Sequence, residues 1–213
     1  MLNVKLFVFN PFQENTFVLS NENKECIIFD PGCYSSEEQN ELSEYIETEK
    51  LQPILLINTH CHIDHVLGNN FVTGKYSIPL WIHKEGLPLL QAAPVYGQTY
   101  GVQMIPSPPP DKFLDESDEV ILGNEKLQIF FVPGHSPGSI CFYSKEHKFL
   151  IGGDVLFYES IGRTDLPGGN HNQLLTNIKE KLFKLDDDTV VYCGHGPETT
   201  IRHEKKHNPF LVG

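Results

Sequence analysis

No run of apolar residues in this chain approaches the roughly eighteen that a membrane-crossing helix needs, so no membrane partner is expected. Positive charge is scarce. Sixteen Lys and Arg stand against 28 Asp and Glu, giving a net charge of −12. Phosphate recognition needs the opposite balance, which argues against nucleic acid as a partner. Cysteine is sparse and unpatterned: Cys26, Cys33, Cys61, Cys141 and Cys193 form no C-x-x-C pair, and five cannot all be bridged. They read as reduced thiols of a cytoplasmic protein. The start of the chain is apolar but interrupted by Lys5, Asn10 and Pro11, and it lacks a small-residue cleavage site. It reads as a first strand and not as a signal peptide.

What is present is ordinary in bulk and unusual in one respect. With 39% hydrophobic and 21% charged residues, the 213-residue chain suits a single soluble domain, 1–213, built from halves of about 1–105 and 111–213. Ten histidines against sixteen Lys plus Arg is a high ratio. It points toward metal, and bound divalent cations would offset part of the acidic charge. Size and acidity permit a monomer or a homodimer.

The stretch Thr59-His60-Cys61-His62-Ile63-Asp64-His65 concentrates that signal. It follows the apolar run Pro53 to Ile57, which reads as a buried strand. Once the backbone turns at the strand exit, three imidazoles and a carboxylate can converge, as a metal site requires. A lone histidine there would read as a surface residue; H-x-H-x-D-H does not. Cys61 and Cys193 lie beside such residues in sequence, but neighbours on a strand end point the other way, so both read as packing residues.

Taken in order, Val4 to Val8, Thr16 to Leu19 and Cys26 to Phe29 read as strands, the last ending at Asp30-Pro31-Gly32. A carboxylate at that mouth can orient a ligand histidine, or simply make a turn. Ser35 to Glu49 reads as a helix, with Ser35 or Ser36 as cap and Glu37 and Glu38 in the first turn. A helix is also expected to start between His65 and Phe71. Leu80 to His83 is a short strand whose His83 packs or hydrogen-bonds at its end. Residues 84 to 110, rich in proline, read as a long irregular loop, a lid or a connector.

The second half repeats the pattern. Glu119 to Leu122 and Leu127 to Val132 flank Gly123-Asn124, a hairpin signal, and the second strand exits at Pro133-Gly134-His135. Ile140 to Tyr143 and Phe149 to Ile151 lead to Gly152-Gly153-Asp154. A helix is expected over Asn172 to Leu185, a strand over Thr189 to Cys193 delivering Gly194-His195-Gly196, and a last helix from near Glu198. Two such halves would pack sheet against sheet with helices outside. The candidates are then His60, His62, Asp64, His65, His135, Asp154 and His195, enough for two divalent ions with one carboxylate bridging. Zinc is favoured, with iron or manganese as alternatives, and calcium does not suit this donor set.

These spacings resemble the metallo-β-lactamase fold superfamily over essentially the whole chain. The resemblance implies an αββα sandwich, with one metal held by His60, His62 and His135 and a second by Asp64, His65 and His195. Asp154 would bridge, making Asp64 and Asp154 the catalytic carboxylates. Pro133 to Gly138, Gly152-Gly153-Asp154, Ser160 to Gly169 and Gly194 to Thr200 are most similar to short bacterial hydroxyacylglutathione hydrolases (glyoxalase II). The implied reaction is attack of a metal-bridging hydroxide on a small-molecule thioester such as S-lactoylglutathione, with a thiolate leaving.

The chain departs from that family in two places. Longer glyoxalase II enzymes hold glutathione with a C-terminal helical domain, which this sequence is not expected to carry. The lysine and tyrosine that those enzymes place after the bridging aspartate are replaced by Leu156-Phe157-Tyr158-Glu159. Tyr158 and Arg163 are therefore candidate substrate contacts, Arg163 having as its alternative an ion pair with Asp165. A persulfide dioxygenase, with one iron and a similar Gly-Arg-Thr-Asp segment, is the competing enzyme, followed by a lactonase. A non-catalytic metal-binding module fits poorly, because structural zinc sites are closed four-ligand cages.

Overall fold

Ser35 sets the first helix. Its hydroxyl accepts from the Glu38 backbone N–H, and the Glu38 carboxylate accepts from the Ser35 N–H, a reciprocal capping box. The computed structural model describes residues 1–212. Contact density divides the chain into two units, one of Met1–Leu114 with Ile121–Glu125, the other of Asp115–Val120 with the residues from Lys126 onward.

The first unit contains β1 (Asn3–Phe9), β2 (Glu14–Ser20), β3 (Glu25–Phe29), α1 (Ser36–Thr48), β4 (Gln52–Ile57), α2 (Ile63–Val66), α3 (Asn69–Tyr76), β5 (Leu80–His83), α4 (Leu87–Thr99) and β6 (Lys112–Leu114). Its six strands lie in the order β1-β2-β3-β4-β5-β6. The first three pair antiparallel through tight turns. From β3 onward pairing is parallel, and parallel neighbours need a crossover, supplied by α1, by α2 with α3, and by α4. Ile27, Ile28 and Phe29 are wholly buried, which explains why β3 is a continuous apolar run and not an alternating one. Leu42 and Ile46 of α1 pack into the same core as Ile28, Leu56 and Leu80.

Residues 84 to 110 differ from the expected loop. After a 3₁₀ turn at Lys84–Gly86, Leu87–Thr99 is an α-helix. Pro88 stands in the first turn, where no intrahelical N–H is required. Pro94 deprives the Leu90 carbonyl of its helical donor, yet Leu90, Ala93 and Gly97 are buried and hold the helix in place. The helix stops in a Schellman motif. Gly101 takes φ +71, Val102 N–H reaches Gly97 O at 2.8 Å and Gly101 N–H reaches Gln98 O at 3.2 Å. The helix expected from His65 is two short pieces, α2 and α3, and the edge strand β6 carried no sequence signal.

The remaining elements are β7 (Glu119–Leu122), β8 (Glu125–Phe131), β9 (Ile140–Ser144), β10 (Phe149–Gly153), β11 (Leu156–Phe157), β12 (Ser160–Ile161), α5 (His171–Glu180), β13 (Val190–Cys193), β14 (Thr199–Thr200) and α6 (Ile201–His207). The second sheet runs β14-β13-β10-β9-β8-β7, and β11 with β12 forms a separate small hairpin. Within this sheet β10 and β13 pair parallel, and α5 is their crossover. The expected helix 172–185 is shorter. Lys181, the C-cap, widens to φ −110, ψ −60 while staying right-handed, and a 3₁₀ turn at Leu182–Lys184 follows. That turn still buries Leu182 beside Leu174 and Ile178, so the apolar period continues past the helix end. The last helix starts three residues later than expected, because Thr199 and Thr200 first pair with Val191 and Val190.

Candidate metal centre

Parallel neighbours present their carboxyl ends on one edge, where ligand crevices form. In the first unit β3 and β4 do this. Asp30 N–H donates to Ile57 O at 3.0 Å, so the residues leaving β3 and β4 lie side by side. Asp30 takes φ +46 there, a left-handed conformation that costs a non-glycine residue about 1–3 kcal/mol. The return is position. Asp30 Oδ1 accepts Thr59 N–H at 2.7 Å, and Oδ2 accepts Thr59 Oγ1–H at 2.5 Å. His65 Nδ1 lies 3.1 Å from the same Oδ2.

These bonds fix two imidazole tautomers. A carboxylate only accepts, so His65 Nδ1 carries the proton and Nε2 the lone pair. The one proton of Thr59 Oγ1 goes to Asp30, so toward His60 Nδ1, 3.2 Å away, that oxygen accepts. His60 too must be protonated at Nδ1, leaving Nε2 as its donor atom. Asp30 thus orients one ligand histidine directly and a second through Thr59, the arrangement that raises ligand basicity around metals. His62 stands at the N-cap position of α2 in extended conformation, without a side-chain cap, which places Asp64 in the first turn and His65 beside it. The His60 ring lies 4.8 Å from that of His62 and 4.1 Å from that of His65. Asp64 Oδ2 is 3.6 Å from His65 Nε2.

Behind this row sits Glu14, wholly buried. Thr16 Oγ1 lies 2.9 Å from its Oε2, and burial pushes its carboxyl well above the usual carboxylate range. Its Oε1 is 3.8 Å from His65 Nδ1. Asn58 ties the row to α3. Its side-chain amide donates to His65 O at 3.0 Å and exchanges hydrogen bonds with Asn69 at 2.8 and 3.2 Å. Glu14, Thr59 and Asn58 carried no motif and were not foreseen. The one available signal was the hydroxyl placed immediately before His60.

The second unit repeats the device. Gly194 N–H donates to Gly153 O at 2.8 Å, so Asp154 and His195 leave adjacent parallel strands at one edge. Asp154 Oδ2 lies 3.5 Å from His135 Nε2 and 3.6 Å from His195 Nε2. Donors bound to one small cation at about 2.0–2.2 Å stand roughly 3.3 Å apart, whereas a hydrogen bond would be nearer 2.9 Å. The spacing therefore suits a shared cation better than direct pairing. His135 Nδ1 lies 2.8 Å from Arg163 O. A carbonyl accepts, so again Nδ1 is protonated and Nε2 faces the carboxylate. Gly162 permits this closeness: a Cβ there would fall 1.9 Å from Asp154 O and 3.0 Å from His135 Cβ.

The two candidate substrate contacts have partners within this unit. Arg163 is bidentate to Asp165, at 2.8 and 2.7 Å, and that pairing holds the Asp165 carboxyl down to about 2. This is the alternative weighed for Arg163, whose visible service to the site is through its backbone oxygen. Tyr158, 48% exposed, stacks on His203 with centroids 4.8 Å apart. His83 accepts from Glu85 N–H and caps the turn after β5, as foreseen. Cys61 and Cys193 are buried packing residues. All five thiols are unbridged and buried, and burial pushes Cys26 and Cys193 up to about 12 and Cys33 and Cys61 higher still.

Two mixed sheets with helices, and histidines and aspartates at their strand exits, define a metallohydrolase scaffold. The chain belongs to the metallo-β-lactamase superfamily, whose family model matches residues 9–195. It is 40% identical over 205 residues to a probable metallo-hydrolase, YqgX, of Bacillus subtilis, covering 95% of this chain and 94% of that one. It is 34% identical over 212 residues to the hydroxyacylglutathione hydrolase GloC of Haemophilus influenzae, covering 99% and 98%. Among solved structures it is similar to the B3 metallo-β-lactamase BLEG-1 (TM-score 0.91, 38% identity, 100% of both chains). It is also similar to TTHA1623 in a di-iron-bound form (TM-score 0.88, 33% identity, 98% and 100%). The αββα class expected from the motifs stands, and the donor set fits a dimetal site.

Proposed function

We propose that this protein is a thioester hydrolase of the hydroxyacylglutathione type, acting on S-lactoylglutathione or a related acyl-thiol. The observation that carries the reading is the match to GloC over nearly the full length of both chains. The tautomers support it: His60, His65 and His135 each place a lone pair on Nε2, as ligands must. In this reading His60, His62 and His135 hold one ion, Asp64, His65 and His195 a second, and Asp154 both. When bound, such ions acidify water to a nucleophile at neutral pH and polarise a carbonyl. Zinc, iron and manganese all suit the donor set.

The chain's own residues supply the rest. Asp30 and Thr59 lock the imidazoles so that no reorganisation accompanies turnover, which is how electrostatic stabilisation becomes effective. A thiolate leaves without a proton, so no general acid is needed and none is required of Tyr158. Tyr158, on an exposed hairpin, is proposed to contact the substrate, and Arg163 to do so only by releasing Asp165. Five buried, unbridged thiols are in keeping with work in the cytoplasm.

The test is turnover of S-lactoylglutathione by protein reconstituted with zinc, iron or manganese, beside Asp64→Ala and Asp154→Asn. Saturable hydrolysis, lost by at least about 10²-fold in both variants, supports the reading. Metal-replete protein that leaves this thioester intact but consumes oxygen with glutathione persulfide, or opens a lactone or β-lactam, would overturn it.

A further inference from the structure

The helix that carries Asp64 and His65 is a single turn, Ile63–Val66. A helix this short cannot satisfy its own carbonyls, because each needs an N–H four residues further on. For Asp64 that donor is Gly68 N–H, and it is directed elsewhere, to Pro31 O at 2.7 Å. The Asp64 carbonyl draws a hydrogen bond from outside the helix. Asn10, in the turn between β1 and β2, supplies it: Asn10 Nδ2 donates to Asp64 O at 3.0 Å across a sequence separation of 54.

The rest of Asn10 is engaged as well. Nδ2 also donates to Gly32 O at 3.1 Å, and Oδ1 accepts from Phe12 N–H at 3.0 Å. Two carbonyls on one side and an N–H on the other admit one orientation of the amide. Asn10 N–H donates to Glu38 Oε1 at 2.6 Å. The other oxygen of Glu38 accepts from the N–H groups of Tyr34 and Ser35 at 2.7 and 3.0 Å, so the anchor is itself anchored. Asn10 takes φ +54, a left-handed conformation that asparagine tolerates better than most residues. The next carbonyl of α2 is held in the same way: Asn58 Nδ2 donates to His65 O at 3.0 Å. Asp64 and His65 are thus gripped at the backbone by two asparagines from different elements.

We propose that Asn10 is a positioning residue for Asp64. Its amide stands in for the diverted helical donor and fixes the backbone from which the Asp64 carboxylate reaches its ion. The inference rests on the metal assignment made above, in which Asp64, His65 and His195 hold a second ion, and not on the choice of substrate. Without the amide the buried carbonyl is left short of a donor, and the first turn of α2 loosens on its Asp64 side while Asn58 still holds His65. The ion assigned to His60, His62 and His135 draws on no residue that Asn10 contacts in these bonds, so it stays.

Two variants test this. N10G keeps the left-handed backbone and the N–H to Glu38 and deletes only the side chain. N10D keeps the acceptor for Phe12 but turns a carboxylate oxygen onto two carbonyls. T200A, which removes the cap of α6 in the second unit, controls for stability lost without any link to Asp64. Each zinc-loaded protein is dialysed against a graded series of competing chelator, with zinc per chain read by elemental analysis and Tm by calorimetry. The visible spectrum of cobalt-substituted protein reports the ligand geometry. Wild type and T200A are expected to keep two equivalents where N10G and N10D keep about one, the second ion being bound about 10–100-fold more weakly, with an altered cobalt spectrum. Two ions held with wild-type affinity and an unchanged spectrum in both variants would overturn the inference. Loss of both ions together, in step with Tm, would also overturn it, as the mark of a merely structural role. A wild-type protein that takes up a single ion would overturn the metal assignment and this inference with it, whatever its turnover of S-lactoylglutathione.

Discussion

A carboxylate that accepts from two donors of one residue cannot swing, and this gives Asp30 its importance. Thr59 fills Oδ1 and part of Oδ2, and His65 takes what remains. Removing it frees two imidazoles to choose the wrong tautomer. Asp30→Ala is expected to weaken metal retention by about 10–100-fold, measured by zinc release to a competing chelator, while the expected ligands remain intact. At Gly162 the constraint is steric. A methyl group would collide with the Asp154 carbonyl at 1.9 Å, so Gly162→Ala must shift the strand exit. Overpacking of this kind costs about 1–3 kcal/mol; denaturant unfolding should show that loss together with reduced metal content. These roles were only partly legible. His60, His62, Asp64, His65, His135, Asp154 and His195 announce themselves by type and spacing, whereas Asp30-Pro31-Gly32 reads from sequence most simply as a turn. Thr59 and Glu14 act through where their side chains happen to point, which spacing does not encode.

Among the elements, α1 has its start written in the sequence. Ser35→Ala removes the hydroxyl half of the capping box and should cost about 1 kcal/mol, read as a lower urea midpoint at unchanged slope. The strands were legible for the same reason that they form: short apolar runs bounded by turn residues. Helix α4 was not. Five of its thirteen residues, Pro88, Ala92, Ala93, Pro94 and Gly97, read as breakers or fillers one by one. The helix survives because Pro88 falls in the first turn, and Leu90, Ala93 and Gly97 are buried. Burial is a tertiary fact, outweighing one missing hydrogen bond. The β11–β12 hairpin was missed for the opposite reason, since two-residue strands offer no period to read.

For the molecule as a whole, acidity and metal are coupled. The net charge of −12 is offset by any divalent ion that binds the folded state alone, so chelation should lower Tm as well as abolish turnover. Calorimetry before and after exhaustive chelation checks this. The surface carries its own pH dependence. Arg163 holds Asp165 at about 2, below its ordinary 3.8, and Lys148 and Lys205 lower Asp186 and Asp187. A depressed folded-state value gives stability that is complete above the unfolded value and lost as pH falls toward the folded one. Tm should therefore drop between about pH 4 and 2, and less steeply at high salt, because these pairs are exposed and screened.

The burial of all five thiols has a consequence for the medium in which such a protein works. A catalyst that liberates thiols bathes itself in partners for disulfide exchange, and exchange needs an accessible thiolate. Here every thiol is shut inside the core, and burial pushes those of Cys26, Cys33, Cys61 and Cys193 upward, toward the protonated form. Native protein should therefore stay unmodified by iodoacetamide, or by oxidised glutathione, for as long as it stays folded. The reaction it is proposed to run cannot cap it with its own product.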